Sequence, residues 1–183
     1  RNSLSAVLSH RSDIRAVRLV TGTESNAAEV AASLREAGPP VSVDVLPELA
    51  YTDRAEETAT ALSRADHLES ILLSQYGKTN NLWWVHNYHV GKNPAFTLAL
   101  TRIAAQPSSP RILLHIHDFP ESARYENLAY LTRVAGPSPY PAGGQVRYAV
   151  INRRDYDALA AAGLDKDRLH LLVNPLPPDT GGT

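Results

Sequence analysis

Four of the seven histidines in this sequence fall at two places where a predicted β-strand ends. His86 and His89 accompany the end of one apolar run, and His115 and His117 accompany the end of another. In an open parallel sheet, ligands bind in the crevice beyond the carboxyl ends of the strands. A scattered histidine is usually a surface or core residue. Histidines gathered at two strand ends favour a binding or catalytic site.

Polar and charged residues adjoin both histidine pairs. Lys92 and Asn93 come shortly after the first pair, and Asp118, Glu121 and Arg124 come shortly after the second. The segment at Lys92 opens a predicted helix with Asn93 as its N-cap, so backbone N–H groups and the lysine could bind an anion. An ordinary helix cap with a solvated lysine accounts for the same residues, and the spacing alone favours that simpler interpretation.

The pair His115 and His117 also fits a metal site, because alternate residues of a strand share one face. A hydrolase barrel that uses such a pair needs roughly 250 residues and further ligands, which this chain does not offer. The sequence also lacks the G-x-S-x-G elbow of serine hydrolases and the G-x-G-x-x-G loop of dinucleotide-binding proteins. Metal-dependent hydrolysis therefore stays a minor alternative.

The elements that position these residues alternate between strand and helix along the whole chain. This order predicts an α/β fold with a doubly wound, mainly parallel, Rossmann-like sheet. Apolar runs and period-two alternation predict strands at 16–20, 41–46, 82–86, 111–116, 146–151 and 169–173. Helical spacing and capping residues predict helices after Asn26 (with Glu29 in a capping box), over 53–77 with a break near Arg64, after Asn93, over 122–134 and after Asn152.

Composition limits the classes of protein that the chain can belong to. The 183 residues suit one domain, 43% of them are hydrophobic, and 18 basic against 19 acidic residues leave a net charge of −1. This balance predicts no nucleic-acid partner. There is no apolar run long enough for a transmembrane segment, and there is no cysteine, so we expect a cytoplasmic protein. Proline and glycine predict an exposed, mobile loop over 136–144.

Three segments resemble parts of a known family. The segment 148–175 runs through a predicted strand, a helix, a glycine stop at Gly163 and a strand ending at Asn174-Pro175. This order is similar to the end of the N-terminal domain of GT-B glycosyltransferases. Trp84-Val85-His86-Asn87-Tyr88-His89 and Leu114-His115-Ile116-His117-Asp118 resemble two strand ends of the family-4-like retaining enzymes. The resemblance covers roughly residues 14–178.

The resemblance implies the acceptor-side half of a sugar transferase that uses a nucleotide sugar as co-substrate, with no cofactor and no metal. The catalytic residues would be His117, which contacts the donor sugar near its anomeric carbon, and Asp118, which orients or neutralises His117. The acceptor side would be lined by His86, His89, Lys92, Asn93, Glu121 and Arg124. We expect the N-terminal domain to span 1–176, with its first strand missing, and 177–183 to be a linker. The C-terminal donor domain of the same protein would then be its partner.

Two other classes remain open from the sequence. A non-catalytic α/β module could use the same cleft to bind a ligand without reaction. A metal-dependent hydrolase could use His115 and His117 as ligands.

Overall fold

A computed structural model describes residues 2–11, 13–36, 38–78 and 80–173 of the chain. Its strands are β1 (Val17–Thr21), β2 (Val41–Val45), β3 (Leu82–His86), β4 (Arg111–Ile116), β5 (Val146–Val150) and β6 (Leu169–Leu171). Its helices are α1 (Asn2–His10), α2 (Ala27–Arg35), α3 (Thr58–Tyr76), α4 (Pro94–Ala105), α5 (Tyr125–Ala135) and α6 (Arg153–Ala161). All the strand pairings are parallel, which confirms the α/β class with parallel, Rossmann-like sheets.

The chain divides into two compact units, and the strands divide with them. One unit contains the described residues of 2–50 together with 172–173, and the other contains the described residues of 51–171. Hydrogen bonding joins β1 to β2 in a two-stranded sheet and orders the other strands β3-β4-β5-β6. The described residues thus form two parallel sheets where the sequence predicts one.

The smaller unit has a core of its own. Leu8 of α1, Ala31 and Leu34 of α2, and Val41 of β2 are buried against one another. Ala31 and Leu34 are three residues apart and so lie on one face of α2, which is the face that meets the core. The helical spacing of small and apolar residues therefore places α1 and α2 on the β1–β2 pair.

The larger unit carries both histidine pairs. Helix α3 packs against α4 and α5, and α6 packs against β5 and β6. Ile112, Leu114 and Ile116 of β4 are at most 1% exposed, and so is His115 on the opposite face of the strand. A strand with buried residues on both faces is typical of the interior of a parallel sheet. The polar end of β4 is therefore held by a rigid element.

Two of the three predicted helix caps are confirmed. The side chain of Asn93 accepts a hydrogen bond from the backbone N–H of Phe96, and that of Asn152 accepts one from Asp155. The capping box at Asn26 is wrong, because this residue has a left-handed backbone (φ 62°) and its side chain makes no cap hydrogen bond. Side-chain capping needs an extended N-cap, which Asn26 does not have.

Two predicted helices have different bounds in the structure. Helix α3 begins at Thr58 and runs without a break past Arg64, which forms an ion pair with Glu56. Leu62 of this helix is exposed although it is apolar. Helix α5 begins at Tyr125 because a turn with a positive φ at Ala123 precedes it.

The segment 136–144 is better packed than its composition suggests. Pro139 and Pro141 are buried, and their carbonyls accept hydrogen bonds from the buried hydroxyls of Tyr88 and Tyr148. The expectation of an exposed loop is therefore wrong for these two prolines, and its mobility stays a prediction. The predicted Asn174-Pro175 ending and the linker 177–183 lie outside the described residues. Among the described helices, none is long and apolar enough to cross a membrane.

Candidate active site

Three histidines meet at the carboxyl edge of the four-stranded sheet. His86 ends β3 and is the direct neighbour of His115 in β4, while His117 follows two residues after His115 on the same face. The ring centroids of His115 and His117 are 4.3 Å apart, and those of His86 and His115 are 4.9 Å apart. Nδ1 of His86 lies 3.3 Å from Nε2 of His117. The parallel register thus brings together residues about 30 positions apart in the sequence.

Trp84 supports this cluster from within β3. It precedes His86 by two residues, so both rings lie on one face of the strand. The two rings are stacked, with centroids 5.7 Å apart and an interplanar angle of 14°. The indole N–H of Trp84 donates a hydrogen bond to Nδ1 of His115 at 3.3 Å. The tryptophan therefore orients the ring of His115 by a hydrogen bond and packs against the ring of His86.

Asn87 ties the ends of β3 and β4 together. Its side-chain oxygen accepts a 2.8 Å hydrogen bond from the backbone N–H of His117. The backbone N–H of Asn87 donates a hydrogen bond to the carbonyl of His115. Asn87 has a positive φ of 46°, a conformation that asparagine tolerates better than most residues. This turn is what holds the backbone of His117 beside the cluster.

The environment favours neutral imidazoles in two members of the cluster. Desolvation by the surrounding groups, followed by repulsion from His115 and His117, lowers the pKa of His86 to about 4. Desolvation also lowers the pKa of His117, against the opposing effect of the Asp118 carboxylate. At neutral pH both rings can therefore donate and accept a hydrogen bond without carrying a charge.

The charged residues that follow β4 lie at the exposed rim. The Arg124 guanidinium donates to the Asp118 carboxylate at 3.4 Å, and both side chains are about half exposed. The carboxylate of Glu121 accepts a hydrogen bond from the hydroxyl of Tyr140 at 3.1 Å. Ion pairs with this much exposure contribute little to stability. Their charges are consequently available to a ligand.

His89 and Asn93 do not reach the surface of this edge. His89 is fully buried among the rings of Tyr88, Phe119 and Tyr140, and neither of its ring nitrogens has a hydrogen-bond partner in the described residues. Asn93 is 5% exposed, and its side-chain oxygen caps α4. In this conformation the burial of both residues would let them support the site rather than contact a substrate, and their assignment to the acceptor side stays a prediction.

Lys92 is the cation nearest in sequence to the turn after β3. Its ammonium lies over the ring of Tyr51, 5.3 Å from the centroid, and its carbonyl accepts a hydrogen bond from the backbone N–H of Thr52. Tyr51 is 77% exposed, so this cation–π contact is a weak one. Lys92 therefore has a backbone held by a hydrogen bond and an ammonium held by a weak contact.

Trp84 and Asn87 are site residues that the motifs in the sequence did not predict. The signal for Trp84 was its position two residues before His86, since alternation places both on one face. Asn87 carried a weaker signal, an asparagine directly after a strand, where turns with positive φ are common. The sequence could not show that its oxygen accepts from His117.

Comparison with known proteins finds a partial similarity. No family model and no solved structure matches the chain. Over 102 residues, 56% of the chain, it is 38% identical to the mannosylglucosyl-3-phosphoglycerate synthase of Petrotoga mobilis. The chain is a partial homologue of a glycosyltransferase. The matched residues make up 20% of that relative, so the chain spans only about a fifth of its length.

Proposed function

We propose that this chain is the acceptor-binding N-terminal domain of a glycosyltransferase of the GT-B type. In this proposal the full-length enzyme transfers a sugar from a nucleotide-sugar donor with retention of configuration and without a metal. A C-terminal domain of the same protein would bind the donor. The observation that carries the proposal is the 38% identity to a sugar-transferring synthase over 102 residues. In this chain, three of the histidines meet at one carboxyl edge of a sheet.

His117 is the group best suited to contact the transferred sugar. It is half-buried, its backbone N–H is held by Asn87, and its ring is neutral at pH 7 because burial lowers its pKa. In a retaining transfer, positive charge develops on the donor sugar while the nucleotide phosphate leaves. A neutral imidazole can accept or donate a hydrogen bond there without opposing that charge, whereas a lysine would repel it. Asp118, next in the chain, would orient or neutralise His117.

The acceptor in this proposal is an anion. The name of the relative describes a product that carries a phosphate and a carboxylate. Among the described residues, Lys92 and Arg124 are cations beside the two strand ends, and each contacts a weakly bound, exposed partner. An acceptor phosphate or carboxylate could replace Tyr51 at Lys92 or Asp118 at Arg124 at small cost. His86 and Glu121 would bind acceptor hydroxyls from the same rim.

The test uses the longest natural protein that contains this chain, purified and offered a panel of nucleotide sugars. Each donor is paired with a phosphorylated sugar acid as acceptor and, as control, with the same acceptor lacking its phosphate. We expect turnover only with the phosphorylated acceptor, an unchanged anomeric configuration by NMR, and no loss of rate in EDTA. Inversion, or dependence on added metal, would overturn the mechanistic part.

The same assay separates this proposal from a non-catalytic binding module. Calorimetric titration with the acceptor accompanies the kinetics. Acceptor binding without transfer from any donor would identify a module that recognises the ligand only. Transfer to the acceptor, reduced in the Lys92→Ala protein through a raised KM, would support the enzyme.

A further inference from the structure

We propose that His86, His115 and His117 form a binding site for a divalent transition-metal ion of the zinc class. Each of the three imidazoles offers one ring nitrogen, and the three nitrogens lie within 4.8 Å of one another. The cluster comes from adjacent parallel strands and the turn that follows, so its backbone spacing is fixed by the sheet register. Three convergent imidazoles on rigid elements are a common set of protein ligands for zinc, with one coordination position left open.

The distance between two of the ligands already matches coordination. Around a tetrahedral zinc ion with bonds of about 2.0–2.1 Å, neighbouring ligand nitrogens are about 3.3–3.4 Å apart. Nδ1 of His86 and Nε2 of His117 are 3.3 Å apart. The three ligand nitrogens lie as much as 4.8 Å apart, which is wider than coordination requires. This separation closes if the exposed ring of His86 and the half-buried ring of His117 rotate toward the buried His115.

The donor set selects the kind of metal. Imidazole nitrogen suits zinc, nickel, copper and cobalt, whereas magnesium and calcium prefer oxygen ligands. The three-residue group is composed of histidines alone. A fourth position would face the cleft, where water or a ligand could complete the sphere. We therefore expect zinc and cobalt to bind and magnesium not to bind.

Trp84 would report the binding of the metal. Its indole N–H donates to Nδ1 of His115 at 3.3 Å, and its ring is stacked on that of His86. Coordination through the His115 ring changes this hydrogen bond, and rotation of His86 changes the stacking. Trp83, the neighbouring residue in β3, donates instead to the carbonyl of Tyr76. Its fluorescence should stay unchanged.

A metal here would act on the proposed transfer as an inhibitor. The nitrogen of His117 that faces His86 cannot hold both a metal and the donor sugar. This consequence rests on the proposed function, whereas metal binding itself does not. Zinc would thus lower the rate of transfer, and EDTA would restore it.

The experiment titrates the full-length protein, with any histidine tag removed, with Co²⁺ and then with Zn²⁺. We expect visible cobalt absorption bands of tetrahedral intensity that zinc abolishes, together with a change in tryptophan fluorescence. His86→Ala and His117→Ala should each weaken binding by at least the roughly 10–100-fold that loss of a supporting residue costs. The control is His170→Ala, because His170 lies exposed on β6 of the same sheet. Circular dichroism checks that each variant folds, and where an alanine variant does not fold, asparagine at the same position replaces alanine.

Two results would overturn the proposal. One is the absence of cobalt bands and of any fluorescence change at micromolar metal. The other is binding weakened as much by His170→Ala as by His117→Ala. A fluorescence change lost in Trp84→Phe but kept in Trp83→Phe would support the assigned location. Because every readout is binding, a protein that binds zinc but transfers no sugar even after EDTA has removed the metal would disprove the proposed function alone.

Discussion

Nδ1 of His86 and Nε2 of His117 lie 3.3 Å apart, although the two residues are 31 positions apart in the sequence. One proton can bridge this distance when both rings are neutral. The pairing joins the residue proposed to contact the donor sugar to one proposed to contact the acceptor. Any ligand that binds either ring must therefore change the other.

Replacing His117 by alanine in the full-length protein should lower kcat by about 100-fold or more, as expected for the loss of one preorganised polar group. Folding should change little because the side chain is partly exposed at the cleft. Steady-state kinetics with the true donor and acceptor measure the effect, and thermal unfolding provides the control. A near-normal kcat would show that His117 has no catalytic role.

Asn87 should act as a positioning residue. Asn87→Ala removes the oxygen that accepts from the His117 N–H, and it places alanine at φ 46°, which costs about 1–2 kcal/mol. Asn87→Gly removes the same oxygen without that strain. We expect both variants to lose about tenfold in kcat through misplacement of His117, with KM little changed. Only the alanine variant should also lose folding stability, because only alanine is strained at this positive φ. Full kcat in the glycine variant would contradict the positioning role.

Protonation of His89 should weaken the fold at acid pH. Burial lowers its pKa to about 4 in the folded chain, whereas an unfolded chain has a histidine pKa of about 6.5. Below pH 6.5 the unfolded state binds a proton that the folded state does not, so stability falls as the pH drops toward 4, by up to about 3 kcal/mol. His89→Phe should remove this contribution to the dependence of the unfolding free energy on pH. Denaturant unfolding between pH 7 and pH 4, compared for the two proteins, measures it, and equal slopes would disprove the assignment.

The hydroxyl of Tyr88 should stabilise the segment 136–144. Tyr88 is 4% exposed and donates a 2.7 Å hydrogen bond to the carbonyl of Pro139. Tyr88→Phe leaves that carbonyl without this donor, which should cost about 1–3 kcal/mol and speed proteolysis within the segment. Tyr125→Phe is the matched control, because Tyr125 is 72% exposed. Similar effects of the two substitutions would show that the bond does not hold the segment.

Gly91 should tolerate no side chain. It has a φ of +71°, and a Cβ there would lie 2.3 Å from the backbone oxygen of Asn127 in α5. Gly91→Ala should therefore destabilise the protein by at least about 1–3 kcal/mol and displace the turn that carries Lys92. Gly144→Ala is the control, since nothing lies within 4 Å of a Cβ at that position. Equal melting temperatures for the two variants would rule out the close contact.

The sequence by itself determined the alternation of strands and helices, the parallel class and the two histidine-bearing strand ends. It succeeded because apolar runs such as that of β4 and caps such as Asn93 act locally. It did not predict the left-handed backbone of Asn26. It also did not predict the burial of His89, because the rings of Phe119 and Tyr140 that cover it are distant along the chain.

Only the tertiary structure decided which groups meet. The register between β3 and β4 places His86 beside His115, and a shift of one residue would turn one of them to the opposite face of the sheet. Trp84 and Asn87 became site residues because their partners lie about 30 positions away across that register. Composition and spacing describe each strand end separately, whereas hydrogen bonds between strands determine the distances from which a site is built.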